Sequence, residues 1–199
     1  MVLLDDTLAS LTAGAATSAG LSAPDRATLA RATARRVADL AAAWVAAAVA
    51  IKGGGGSVPD AVAAEETATG PLATLRLLLS TARVWAAVGQ TGPPPAIQAA
   101  IQHAAGPGSF VAVDVLPEPR LFDGVIFQGY QATVRCVNPG GLEAFRASWR
   151  AEIESRPRSG GVAAVLGAGN VTGLAPADAI DQIFGHGRAV LLKLHPLHA

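Results

Sequence analysis

The sequence predicts an α/β protein: N-terminal helices, then a pair of strands, then a closing β-α-β unit. Three observations carry this reading. Apolar residues recur at helical spacing between residues 24 and 52 and again between 71 and 88, and proline or glycine clusters follow both stretches. Two shorter runs, Phe110–Val115 and Tyr130–Val137, are rich in valine and are bounded by Gly and Pro. The stretch from Gly161 to Pro196 holds two short apolar runs on either side of a helical repeat. The order divides the chain into 1–105, mainly helical; 106–160, the strand pair and a linking helix; and 161–199, the β-α-β unit.

Composition bounds the function. Of the 199 residues, 51% are hydrophobic, enough for a sizeable core. Lys plus Arg and Asp plus Glu are 15 each, and the sequence has no basic run, so nothing electrostatic points to nucleic acid or an anionic membrane. One cysteine rules out an internal disulfide and a multi-cysteine zinc site and fits a reducing, cytoplasmic setting. The opening MVLLDD lacks the positive region of a signal peptide. The longest apolar run, Leu40–Ile51, is shorter than the about 20 residues of a membrane span and reads as a buried helix.

In chain order, Met1–Leu11 predicts a short helix followed by the small-residue stretch Thr12–Gly20. Ser22 is a candidate N-cap and Pro24 suits a first turn. Leu29, Val37, Leu40, Trp44, Val45 and Val49 then form an apolar stripe, with Arg26, Arg31, Arg35 and Arg36 decorating the helix start. Gly53–Gly56 ends that helix; with no Gly-Lys-Ser/Thr sequel it reads as a flexible loop, not a phosphate loop. Pro59–Thr67 reads as a helical turn or loop, Pro71–Val88 as a second helix, and Gly89–Pro95 as its stop. Ala96–Ala105 predicts another short helix broken at Gly106-Pro107-Gly108. The first strand ends at Pro117 and Pro119, Leu121–Gln128 reads as a loop packed by aromatics, and Pro139-Gly140-Gly141 as a turn after the second strand. Leu142, Phe145, Trp149 and Ile153 mark a helix over 142–155, and Arg156–Gly160 links it to the last unit.

In that last unit Val162–Leu166 and Ala189–Leu194 read as buried parallel strands. Leu174, Ala177, Ile180, Ile183 and Phe184 define the helix between them, with Pro176, Asp178 and Asp181 suiting its start and Gly185 and Gly187 its end. Gly167, Gly169 and Gly173 form a turn where backbone N–H groups can approach a phosphate or a carbonyl oxygen. The dinucleotide fingerprint Gly-x-Gly-x-x-Gly is not met: Thr172 stands where the third glycine belongs, and the second strand ends in Lys193 and His195 instead of an acid. A turn that needs flexible residues for packing alone is the alternative.

The stretch resembles a segment of the aldehyde dehydrogenase superfamily, in which a P-W-N-F-P motif is followed, after a helix, by a strand ending in G-N-x-V-x-x-K. Here Asn170 sits in Gly-Ala-Gly-Asn-Val-Thr and the second strand, Arg-Ala-Val-Leu-Leu-Lys, ends at Lys193. The 23 residues from Asn170 to Lys193 match the family's separation. The stretch departs from the family pattern where Ala168-Gly169 replaces Pro-Trp, Val171 replaces Phe and Gly187-Arg188 replaces Gly-Asn, while Gly-Ala-Gly-Asn in this place resembles a divergent bacterial branch. The resemblance implies an NAD(P)-dependent oxidoreductase acting on an aldehyde. Asn170 would help hold the oxyanion, Lys193 would contact the adenosine ribose, and Gly167 and Gly169 would lie in the cofactor-binding turn. It also implies that the β-α-β unit begins an incomplete Rossmann-like cofactor domain, and that the nucleophilic cysteine and general-base glutamate lie outside these residues, as in a truncated member of the family. A possible homo-oligomer is expected.

Each candidate has a plain alternative. Asn170 also suits a turn, and Lys193 a solvated strand end. Cys136 lies on an apolar strand without a nearby His and reads as a small hydrophobe. His195 and His198 form H-x-x-H on a tail with no third ligand, so no metal site is expected. Glu143, Glu152 and Glu154 form no catalytic pair, and His103 and His186 read as surface residues. Two other functions stay open: a non-catalytic helical interaction or oligomerisation module, and a small nucleotide binder using Gly167, Gly169 and Gly173.

Overall fold

The computed structural model describes residues 2–53, 59–90, 93–103, 108–118, 121–137, 140–155 and 160–198. The expected glycine loop beyond Gly53, the break at Gly106-Pro107, Pro119, the Pro139 turn position and most of the 156–160 link lie outside them. The protein is a mixed α/β protein, mostly helical. Its elements are α1 (Val2–Ala19), α2 (Ala23–Gly53), α3 (Asp60–Thr67), α4 (Ala73–Gly89), α5 (Pro95–Gln98), β1 (Ile101–His103), β2 (Phe110–Leu116), α6 (Asp123–Ile126), β3 (Ala132–Cys136), α7 (Gly141–Ser155), β4 (Val162–Leu166), α8 (Leu174–Ile180) and β5 (Ala189–Lys193). They group into two compact units, 1–82 with 157–199, and 83–156, with the division falling inside α4. The β-α-β segment thus groups with the N-terminal helices, a grouping that chain order does not suggest.

In the first unit, α1 does not stop at Leu11 but runs to Ala19, because Thr12–Ala19 is rich in alanine, the strongest helix former. Ser22 caps α2 as expected: its Oγ accepts from Asp25 N–H (3.3 Å) and donates to Asp25 Oδ2 (2.6 Å). The face that α2 buries differs from the expected stripe. Ala27, Ala30, Ala34 and Ala48 are buried, whereas Leu29 and Leu40 are exposed. Arg26 is no surface decoration either. It is 5% exposed, and its guanidinium donates to the carbonyls of Ser18, Ala19 and Leu21, at and just beyond the end of α1, where helical hydrogen bonding runs out.

Helices α3 and α4 form one continuous rod through a π-helical turn, Ala68–Leu72. Pro71 lacks an N–H and cannot complete an α-helical bond, and the wider turn absorbs that defect. Thr74 Oγ1 donates to the Gly70 carbonyl there (2.9 Å). This rod, Asp60–Gly89, is long and apolar enough to cross a membrane by length and composition. It also holds the fully buried Glu66, Pro71 and Leu78.

The last three elements form the expected β-α-β unit, but its strands are not buried as expected: Val165 alone is buried, and Leu166, Leu192 and Lys193 are exposed, because the sheet is only two strands wide. Strands β4 and β5 pair in parallel from Val162↔Ala189 to Leu166↔Lys193. The helix between them, α8, is extended by a π-helical turn, Asp181–Gly185, and Gly187 adopts φ +66° where the chain reverses. Asp181 lies in that closing turn and not at the helix start, where His186 Nε2 approaches it (3.4 Å).

The second unit is an antiparallel sheet ordered β1-β2-β3, covered by α7. The expected helix over 96–105 is instead the four-residue α5 followed by β1. An unpartnered β2 would leave its N–H and C=O groups open on that side, and Ile101–His103 pairs with Phe110–Ala112 to close them. A helical turn, α6, lies within the expected loop 121–128. Val111, Val113 and Ala100 form the core, covered by Ile97, Cys136, Leu142 and Phe145.

Candidate functional site

Strands β4 and β5 end side by side, and the backbone holds those ends together. The Gly167 N–H donates to the Lys193 carbonyl (2.9 Å), extending the parallel ladder one residue past β4. The chain then turns through Gly167–Gly173 into α8. Asn170 is exposed in that turn, and Lys193 is exposed at the end of β5. Both thus lie at the carboxyl end of the parallel pair, where open α/β sheets place their ligands.

The glycines of the turn serve packing. A side chain at Gly169 would run into the His195 imidazole, with a Cβ 2.5 Å from Nδ1. One at Gly173 would collide with the Thr69 carbonyl. Gly167 is less restricted, 3.2 Å from the Lys193 oxygen. Protein atoms therefore occupy the space where a side chain at Gly169 or Gly173 would stand, so close packing by itself accounts for both glycines. Lys193 is different. Its exposure at a strand end fits a hydrogen bond to a ribose hydroxyl.

What fixes the turn is Thr172, the residue in the third glycine's place. Its Oγ1 accepts from Trp44 Nε1–H (2.9 Å) and donates to Glu66 Oε2 (3.2 Å). Glu66 is fully buried in α3, and its Oε1 faces Lys52 Nζ in an ion pair at 2.5 Å. Lys52 also reaches Glu65 Oε1 (3.0 Å). Glu66, and then Glu65, hold the Lys52 ammonium above the ordinary lysine value of 10.5. Gly70 makes room for this group: a Cβ there would lie 3.0 Å from Thr172 Oγ1 and 3.2 Å from Trp44 Nε1. Sequence reasoning placed Trp44 in an apolar stripe and passed over Glu66. The partners stand 106 and 128 residues from Thr172, so no local pattern joins them. The visible signal was the threonine that broke the glycine spacing.

The remaining candidates lie elsewhere. Cys136 packs half-buried against Val111 and Val113 in the second unit. Arg135 lies on the opposite face of β3, over the Phe110 ring (5.1 Å), and His103 stacks on the same ring (4.9 Å). His195 Nδ1 accepts from the Leu197 N–H (3.2 Å), and its ring meets that of His198 edge-on (6.2 Å). Among the described residues no three His, Cys, Asp or Glu side chains gather as metal ligands. The chain matches no protein-family model, and comparisons with curated proteins and with solved structures find no match.

Proposed function

We propose that this chain acts as the N-terminal part of an NAD(P)-dependent aldehyde dehydrogenase-like oxidoreductase, with 161–199 as the start of a Rossmann-like cofactor domain. The observation that supports this reading is the shared location of Asn170 and Lys193 at one end of a parallel strand pair joined by the Gly167–Lys193 hydrogen bond. When bound, NAD(P) takes up the hydride. In this reading Lys193 Nζ donates to a ribose hydroxyl, and Asn170 Nδ2–H donates to the oxygen that gains charge as the aldehyde is attacked, an interaction of about 3 kcal/mol in an assembled site. Gly167 fixes the level of the turn on the ladder, and Gly169 lets it close on His195. Cys136 is committed to the core of the second unit, so the thiolate and the general base come from outside these residues. The chain by itself is expected to bind NAD(P) weakly and not to oxidise aldehydes. Calorimetric titration with NAD and NADP tests this: weak binding should weaken about tenfold in Lys193→Ala. No heat with the unaltered chain, or an affinity indifferent to the substitution, would overturn the reading.

A second reading, a non-catalytic interaction module, has its own support. Leu166 is 73% exposed at the end of β4, and Leu192, Leu194 and Leu197 are exposed in and beyond β5. Such a surface favours self-association. Sedimentation showing a monodisperse monomer would remove it.

A further inference from the structure

The second unit holds a recess of about 490 Å³, within the range of small-molecule sites. Its shape comes from an irregularity in β2. Pairing with β3 runs regularly to Asp114↔Thr133 and then skips to Leu116↔Ala132, so Val115 is an extra residue and the strand bends. Asp114 and Leu116 both line the recess, and α5 supplies Ala96 and Ala99 opposite them. The far rim is fixed. The Glu118 N–H donates to the buried Asp123 carboxylate (2.9 Å), and Glu118 Oε1 pairs with Arg83 Nη1 (2.8 Å).

The lining is chemically lopsided. Among the described residues it carries two carboxylates and no cationic side chain. Arg83 neutralises Glu118. Asp114 accepts one hydrogen bond on Oδ1, from Thr133 Oγ1 (2.7 Å), and among the described residues no ion pair holds its Oδ2. Around it stand apolar groups: Ala96, Ala99, Leu116 and Pro117. A carboxylate beside an apolar wall rewards a ligand with a positive head and a short hydrocarbon body. It repels an anion, and a neutral molecule forgoes the charge-assisted hydrogen bond.

We infer that this recess binds a small organic ammonium ion, with its N–H groups on Asp114 and its apolar body against Ala96, Ala99 and Leu116. The site lies wholly within 83–156 and is independent of the strand-end site.

The test uses the full, isotope-labelled chain and NMR titration with benzylammonium, benzyl alcohol and benzoate. Benzylammonium should give saturable amide shifts at Ala96, Ala99 and Thr133, while the other two should not. Asp114→Asn keeps an oxygen for Thr133 and should weaken binding about tenfold. Ala99 is exposed, so Ala99→Leu should fold and abolish binding by filling the recess. Equal binding of benzyl alcohol, an affinity unchanged in either variant, or no saturation by about 20 mM would overturn the inference.

Discussion

In the unit of residues 83–156, one face of a small sheet meets one face of a helix. Val111 and Val113 lie under Leu142 and Phe145, the positions where apolar residues fall at strand and helix spacing. In the unit of residues 1–82 and 157–199, the longest helix buries Ala27, Ala30, Ala34 and Ala48 together with Arg26, while Leu29 and Leu40 face outward. Its interior also holds Glu66, whose carboxylate joins α3 to the Gly-rich turn. The contrast teaches that hydrophobic content alone does not say where a core will be. Where backbones approach closely, small residues and satisfied polar groups take the buried positions, and larger apolar residues are left outside.

The largest expected effect tests close approach directly. In Gly173→Ala the new methyl group meets the Thr69 carbonyl, a backbone atom that cannot swing aside, and stability should fall by about 3 kcal/mol in urea unfolding. Gly124→Ala, in α6 of the other unit, meets nothing within 4 Å and should be neutral or gain about 0.5 kcal/mol. Equal effects at the two sites would erase the contrast.

Next comes the polar anchor. Thr172→Val keeps the shape of the side chain but leaves Trp44 Nε1–H and Glu66 Oε2 without their partner, at a cost of about 2 kcal/mol. Combined with Trp44→Phe, it should show a coupling of about 1 kcal/mol, measured as a double-mutant cycle. Strict additivity would mean that the hydroxyl does not tie the turn to α2. Hydrogen exchange should quicken at amides of Gly167–Leu174 in Thr172→Val and stay unchanged around Val111.

The smallest effect is electrostatic. The ammonium of Lys52 is stabilised in the fold, so its pKa there lies above the unfolded value of 10.5. Its contribution is therefore complete below about pH 10.5 and is lost as pH rises through the higher, folded value. The melting-temperature gap between the unaltered chain and Lys52→Met should stay constant from neutral pH to about pH 10 and shrink above it. A gap that closes near neutral pH would exclude this ion pair as its source.

Much of the local structure was legible in the sequence. The strands at 110–116 and 162–166 follow from short valine-rich runs, and the helix over 141–155 follows from Leu142, Phe145 and Trp149 at helical spacing. Ser22 announced the cap of α2. The failures share a cause. Ile101–His103 is too short to carry a period, and only the open edge of β2 makes it a strand. The burial of α2 was misread because alanines carry little hydrophobic signal yet suit a close helix contact. At the strand ends, the positions of Asn170 and Lys193 were legible because a β-α-β unit brings its two strand ends together. The work of the glycines was not, since Gly169 and Gly173 are explained by His195 and Thr69, distant in sequence.

By itself, then, the sequence determined what depends on neighbours along the chain: the periodic helices, the alternating strands, their caps and their breaks. Only the tertiary structure decided that Arg26 would close the end of α1, that Thr172 would bridge Trp44 and Glu66, and that the β-α-β unit would group with the N-terminal helices. The physical reason is range. Backbone propensity and periodicity act over a few residues, whereas a buried polar group must find its partner wherever the fold places one, and for Thr172 both partners are more than a hundred residues away.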